Sequence, residues 1–225
     1  MNNLSYLATI VKVEGNKLTL ELKDELNIER LKRIFDGYDG ERQAEVFIKD
    51  PRSFTIEQRR FTFALMQDIY KYTGQPLESL KDVFYWQFRA YTGRNVSLSN
   101  GSLSTVDDIT TLDELILDFI FEWHIPFKAG YEIPPQNVQY YFYKCVMTRT
   151  CCICGKPNAD IDHFNKALGR RNRKTVDHSE YDFAALCRQH HGEKHQIGIT
   201  NFKNKYRVIG VKLNKDEVKK LHIAH

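Results

Sequence analysis

Nearly all the cysteines and histidines of this sequence, the soft metal ligands and the groups that move a proton near neutral pH, lie after position 144. All five cysteines (Cys145, Cys151, Cys152, Cys154 and Cys187) are there. So are seven of the eight histidines: His163, His178, His190, His191, His195, His222 and His225. Cysteines clustered in a chain without export features point to metal rather than to disulfides. Cys151 and Cys154 form a Cys-x2-Cys pair, which puts two thiolates on one tight turn as a tetrahedral zinc requires. Gly155 follows them and relieves the backbone of that turn. Cys187 and His190 supply a second pair, and the four residues predict a Cys3His structural zinc. Cys145 and Cys152 are then left to packing.

The segment between the pairs carries a second set of reactive groups. Asp162 and His163 end a strand-like run over residues 159–164. A basic turn follows, with Arg170, Arg171, Arg173 and Lys174, and residues 176–178 read as the returning strand. Residues 183–195 read as a helix. On it His191 and His195 stand i and i+4 and so share a face. Asp162, His191 and His195 can therefore converge on a second divalent cation, and this mixed carboxylate and imidazole set suits zinc, nickel, manganese or magnesium. A neutral imidazole such as His163 is suited to taking a proton near pH 7.

These groups need a scaffold, and the sequence has one. At 225 residues and 42% hydrophobic it can bury a sizeable core as one large domain or two small ones, which excludes a disordered chain. No run approaches about 18 apolar residues, the minimum for a membrane span. The start, Met-Asn-Asn-Leu-Ser-Tyr, lacks a signal-peptide pattern, so a cytoplasmic location is expected. Residues 1–144 carry 17 Lys+Arg against 21 Asp+Glu, a net −4, and residues 145–225 carry 16 against 8, a net +8. The basic third is a plausible phosphate-binding footprint.

Alternating apolar residues around Glu14-Gly15-Asn16 predict a hairpin. Helices are expected over 28–35, 56–72, 77–91, 112–123 and 136–146, the third of the long ones with Thr111 and Glu114 as its capping box. A strand is expected over 44–49. The fold class is α+β: an α+β domain over 1–147, then a small zinc-stabilised domain over 148–225. Basic residues between 59 and 94 alternate with aromatics (Tyr70, Tyr72, Tyr85, Trp86, Tyr91), a mixture that suits single-stranded nucleic acid or, more commonly, a core.

The order Cys-x2-Cys, Asp-His, hairpin, helix, Cys-x2-His, His-x3-His resembles the HNH endonucleases, the ββα-metal fold. More narrowly, Asp162-His163, Leu168-Gly-Arg-Arg-Asn-Arg, Asp177-His178 and Ala185-Leu-Cys-Arg-Gln-His-His-Gly-Glu-Lys-His-Gln-Ile-Gly198 resemble HNH nucleases of phages that infect Gram-positive bacteria. The resemblance covers about 148–212. It implies that His163 is the general base, that Asp162, His191 and His195 hold the catalytic cation, and that Cys151, Cys154, Cys187 and His190 hold the structural zinc. Asp182 stands where the family usually has Asn, and His178 is its rival for the orienting role. Arg170, Arg171, Arg173 and Lys174 would clamp phosphates.

Residues 50–145 are similar in element order to the NinB/Orf phage recombination mediators. That resemblance implies DNA as partner, single-stranded or branched, with a homodimer and a recombinase or single-strand-binding protein as further partners. Two functions follow. One is a metal-dependent HNH endonuclease of a phage recombination system. The other is a recombination mediator whose HNH module only grips DNA. A zinc-finger regulator is more remote, since it would leave Asp162-His163 and the paired helix histidines without a task.

Overall fold

The structure is a computed structural model and describes residues 6–44, 46, 48, 50–127, 130–165 and 176–223. Two compact units divide the chain, Met1–Ile48 and Lys49–His225, so position 147/148 falls inside the second. The first unit holds an antiparallel hairpin, β1 (Ala8–Glu14) and β2 (Lys17–Leu22), and a short helix α1 (Ile28–Ile34). Gly15 turns the hairpin with φ +55°, as the sequence leads one to expect. The strand expected at 44–49 falls partly on residues outside those described, and the described ones there are irregular.

The second unit begins with four helices: α2 (Ile56–Thr73), α3 (Leu77–Thr92), α4 (Val106–Glu122) and α5 (Pro135–Met147). Thr55 and Gln58 close a capping box at the start of α2, and Gly74 ends that helix in the left-handed conformation. Helix α4 starts six residues before the expected 112. Its capping box is Thr105 with Asp108, and Thr111 lies inside the helix. The reason is that Val106, Ile109, Leu112 and Ile116 already share one buried stripe, so the packing face begins before the second Thr-x-x-acid signal.

The remaining elements build a three-stranded sheet flanked by helices. Strand β3 (Asp160–His163) pairs antiparallel with β4 (Asp182–Leu186), and β4 with β5 (Val211–Lys212). Helix α6 (Arg188–Ile197) follows β4 directly, Gly198 breaks it from α7 (Ile199–Tyr206), and α8 (Lys215–Lys220) comes last. Two expectations are corrected here. The returning strand is Asp182–Leu186; residues 178–180 form a 3-10 turn instead. The helix begins at Arg188, because Phe183, Ala184, Ala185 and Leu186 are all buried in the central strand of the sheet. A short apolar run of that kind does not distinguish a doubly covered strand from a buried helical turn.

The fold is thus mixed helix and small sheets, α+β, and no described helix is long and apolar enough to cross a membrane. One core runs from Phe61 and Leu65 on α2 through Ile116 on α4 and Cys145 on α5 to Phe183 and Leu186 on β4. Helix α5 is tied to the sheet region by polar contacts as well. Tyr141 donates its hydroxyl to the Cys152 carbonyl at 3.2 Å, and Tyr143 donates to Glu217 at 2.7 Å.

The core contains one carboxyl group, Asp113, that no charge neutralises. Thr62 Oγ1 lies 2.9 Å from the Gln58 carbonyl oxygen and 2.6 Å from Asp113 Oδ1, and a single hydroxyl hydrogen serves only one of them. Asp113 Oδ2 has no partner among the described residues. Burial pushes the Asp113 carboxyl well above the usual carboxylate range, and the Thr62 hydroxyl acts weakly against it. The unfolded carboxyl ionises near pH ~3.9. The stability this group contributes is therefore full below that pH. It falls as pH rises, by about 1.4 kcal/mol per unit, until the folded carboxyl ionises. Asp113→Asn removes the proton equilibrium, so the stability of the variant relative to wild type should grow as pH rises above about 4 in urea unfolding. A difference that stays flat with pH would refute the raised Asp113 carboxyl.

Candidate functional site

The first cluster is built from a knuckle and a helix start. The Cys151 carbonyl accepts from Gly155 N at 2.8 Å, and Cys151 N donates to the Lys156 carbonyl at 2.8 Å, which curls residues 151–156 into a tight loop. Gly155 has φ +68°, and a Cβ there would press on the Phe127 ring at 3.3 Å. Cys187 sits at the extended residue between β4 and α6, and His190 in the first turn of α6. One ligand atom from each of Cys151, Cys154, Cys187 and His190 lies within 4.8 Å of the others. His190 Nδ1 is 3.3 Å from both Cys151 Sγ and Cys187 Sγ, and Cys154 Sγ is 3.8 Å from Cys187 Sγ. Thiolates sharing one tetrahedral zinc at ~2.3 Å lie about 3.8 Å apart, so the donor set fits that ion.

Without an ion, burial favours the uncharged form of both imidazole and thiol, which suits His190 as a ligand and disfavours the thiolate at Cys154. Burial holds His190 below its ordinary value, which keeps it the neutral imidazole that binds metal. Burial likewise pushes the Cys154 thiol up to about 11. At Cys187 burial also acts upward, but the backbone N–H groups of His190 and Gln189 and the neighbouring thiols outweigh it and hold the thiol below its ordinary value. Cys145 and Cys152 are fully enclosed, and burial raises both well above the thiol range, as packing cysteines require. Helix α7 backs the cluster. The Tyr206 ring meets the His190 ring edge-on at 5.4 Å, and Glu193 accepts from Tyr206 at 2.8 Å and Lys205 at 2.6 Å.

The second cluster forms where β3 meets α6. Asp162 Oδ1 lies 3.3 Å from His191 Nε2, which is 3.1 Å from His195 Nε2. His191 thus stands between Asp162 and His195, the three residues expected from the sequence to hold a second cation, while the group of the described residues whose donors all lie close enough for one metal is the Cys3His set. Lys194 completes the same helix face, and its ammonium donates to Asp162 Oδ2. Asp160 stands at the edge, with Oδ2 3.8 Å from His191 Nδ1 and 3.4 Å from Arg188 Nε.

His163 belongs to a different neighbourhood. Successive strand residues point to opposite faces, so Asp162 turns toward α6 and His163 toward Phe183, its cross-strand partner. His163 Nε2 is 2.9 Å from Nδ1 of the buried His178, and the His163 ring meets Tyr181 edge-on at 5.3 Å. Asp177 holds the 3-10 turn that presents His178. Its carboxylate accepts from Ser179 and from Lys215, and these bonds lower its pKa to about 2.

Of the two residues considered for orienting His163, His178 is the one in contact with it. Asp182 accepts instead from Asn165 Nδ2 beside Gly210, where a Cβ would lie 2.7 Å from the Asp182 side chain. Arg170, Arg171, Arg173 and Lys174 lie outside the described residues. In the helical part, Arg94 is bound to Asp108 and Lys81 to Glu78, while Trp86 and Tyr91 stay exposed.

Sequence reading missed Lys194, Asp160, Glu193 and Asn165. Lys194 had a signal, since it lies i+3 from His191 and i−1 from His195, on the ligand face. Glu193 had none, because its partners are set by the angle between α6 and α7.

The Cys3His cluster predicts a folding dependence. Dialysed wild type should retain zinc, and Cys154→Ser and Cys187→Ser should lose it. A loss of only ~3 kcal/mol of the zinc contribution should lower Tm by roughly 6–12 °C for a chain of this size. Elemental analysis and calorimetry together check this, and equal zinc content and equal melting would refute it.

A family model described as "Putative HNHc nuclease" matches residues 23–224. No curated protein and no solved structure gives a significant match. The matched span takes in the knuckle, β3, β4 and α6 with both clusters, together with the four long helices before them. It covers far more than half of the sequence, and the chain belongs to this HNH nuclease family.

Proposed function

We propose that the protein is a metal-dependent HNH endonuclease that hydrolyses phosphodiester bonds in DNA. The observation that carries this is the match of residues 23–224 to the HNH nuclease family, beside which Asp162, His191 and His195 stand in succession, Oδ1 to Nε2 at 3.3 Å and Nε2 to Nε2 at 3.1 Å. His163 follows Asp162 on β3, and its use as the base of the same centre is part of this reading. The family match supports a nuclease in general, and the choice of DNA and of a divalent cation is our reading of the site.

In this reading His163 takes the proton of the attacking water at Nδ1. That requires its hydrogen to sit on Nε2, and the 2.9 Å contact gives that hydrogen an acceptor in His178 Nδ1. His178 then carries its own hydrogen on Nε2, so the pair selects one tautomer for each ring. Once His163 has taken the proton, the same contact stabilises its positive charge. Asp162, His191 and His195 would hold a divalent cation, which places positive charge on the phosphoryl and leaving oxygens. Arg170, Arg171, Arg173 and Lys174 would hold the flanking phosphates. The structural zinc keeps α6 at the end of β4.

The recombination setting, with single-stranded or branched DNA as substrate and a recombinase or single-strand-binding protein nearby in the cytoplasm, rests on the likeness of residues 50–145 to the NinB/Orf mediators. One observation favours the mediator with an inactive module. Lys194 neutralises Asp162 without any cation.

Plasmid nicking with magnesium, manganese, nickel and zinc separates the two. His163→Ala should leave DNA affinity and zinc content unchanged and slow cleavage by about 10²–10⁴-fold, the range for a positioned base. His195→Ala should abolish cleavage through loss of the cation, and excess cation should restore part of it. A wild type that binds DNA tightly yet cuts no form of it with any of the four cations would overturn the nuclease and leave the mediator.

A further inference from the structure

The first unit, Met1–Ile48, carries a surface that the proposed chemistry does not use. None of its described residues is buried. It holds twelve of the twenty large apolar side chains that stay exposed among the described residues, so its apolar groups have been left without a covering layer. Its hairpin is nevertheless strictly two-faced. Ala8 lies opposite Leu22, Ile10 opposite Leu20 and Val13 opposite Leu18, and residues opposite one another share a face. A bulge between Ile10 and Lys12 takes up one residue and brings Val13 onto the face of Ile10. Lys12, Glu14, Lys17 and Glu21 all lie on the other face. A two-stranded hairpin is marginal in water, whereas three or more strands with an apolar face can stand alone.

The two edges of the hairpin differ. The edge of β1 is interrupted by its bulge, a common device against strand addition. The edge of β2 has no bulge, no proline and no glycine, and no further strand pairs with it among the described residues. Lys23 N donates to the Leu7 carbonyl at 2.8 Å, so the odd-numbered residues of β2 turn their backbone groups to β1. Leu18, Leu20 and Leu22 then turn theirs to the open edge.

We infer that this edge pairs antiparallel with the same edge of a second copy, with Thr19 on the two-fold axis, to make one four-stranded sheet. The outward backbone groups of two such strands meet only where leucine stands opposite leucine, which also keeps both apolar faces on one side. Centring on Thr19 sets Leu18 against Leu20, Thr19 against Thr19, and Lys17 against Glu21 at both ends. Pairs of these kinds stabilise neighbouring strands. Centring on Leu20 instead sets Lys17 against Lys23, a like-charge pair, and centring on Leu18 runs the Gly15-Asn16 turn into the ladder. Charge and register thus favour a second copy over an unrelated strand, and the contact is isologous. Residues 8–22 precede the span of the family match, 23–224, and the inference does not depend on the nuclease reading.

The test uses the full zinc-loaded chain in sedimentation velocity over a range of concentrations. Wild type should show a reversible monomer–dimer equilibrium. Lys17→Glu and Glu21→Lys should each raise the dimer dissociation constant roughly fivefold or more, because two attractive pairs become repulsive. An equimolar mixture of the two variants should recover the wild-type constant to within about threefold, because each changed charge then meets its opposite on the other chain. Variants that merely misfold would show no such recovery. Under a mild thiol oxidant, Thr19→Cys should give a dimer linked through position 19, as found by peptide mass mapping, since residues opposite one another in this way stand ~4.5 Å apart at Cα. Lys17→Cys should not link to itself, because its two copies lie roughly 14 Å apart along the strands.

A wild type that stays monomeric at every concentration overturns the inference. So does a dimer whose affinity ignores both charge variants, a mixture that recovers nothing, or a Thr19→Cys that links no better than Lys17→Cys.

Discussion

Strand β4 is the constraint on which the chemistry depends. Phe183, Ala184, Ala185 and Leu186 are all buried, so neither face of the strand reaches water, and its backbone groups must find partners in the strands beside it. β3 supplies them on one side and β5 on the other. That pairing sets the register in which Asp162 lies opposite Ala184 and His163 opposite Phe183. A slip of one residue would exchange the faces of the carboxylate and the imidazole. The chain leaves β4 at Cys187 and turns at once into α6, so the end of the buried strand also fixes where His190, His191, Lys194 and His195 begin. The Cys152 N–H donates to the Ala185 carbonyl at 3.0 Å, which anchors the cysteine knuckle to the same strand.

This explains why the sequence was legible at some places and opaque at others. Cys-x2-Cys and Cys-x2-His are local patterns, and their spacing alone required two tight pairs; joining the pairs took only the chemical preference of zinc. His191 and His195 were legible for the same reason, since i and i+4 meet on any helix. Strand β4 was not legible. Its four apolar residues satisfy a helix pattern as well as a covered strand, and what decides between them is burial on both faces, a property of the whole fold. The start of α4 was misread at Thr111 because two capping signals lie six residues apart, and the apolar stripe selected the earlier one. The placement of His178 against His163 depends on how the 3-10 turn folds back onto the sheet, which spacing does not encode.

Electrostatics link the two clusters in different ways. In the Cys3His set burial raises the Cys154 thiol and lowers the His190 imidazole, and a metal ion would offset the cost of that burial by supplying the charge an enclosed thiolate needs. In the Asp162 set an internal cation is already present. The ion pair of Asp162 and Lys194 joins α6 to β3 by the chain's own charges, whereas the Cys3His set gathers four ligands that could share a metal.

The two imidazoles on the other face of β3 follow the same logic with protons. A histidine that acts as a base needs its second nitrogen committed, or its tautomer is left to chance. In a site with a neutral acceptor, such as an amide oxygen, the hydrogen is fixed by a group that never titrates. Here the acceptor is His178, which could itself take a proton. The pair works as a base only while His178 stays neutral. His178 is 5% exposed and lies beside the Tyr181 ring at 6.4 Å, and a charge is poorly solvated in such a setting. Asp177 and Lys215 hold the turn from outside, the Asp177 carboxylate accepting from Ser179 and Lys215. The turn and the burial of His178 together place its Nδ1 2.9 Å from His163 Nε2, the contact on which the proposed role of His163 rests.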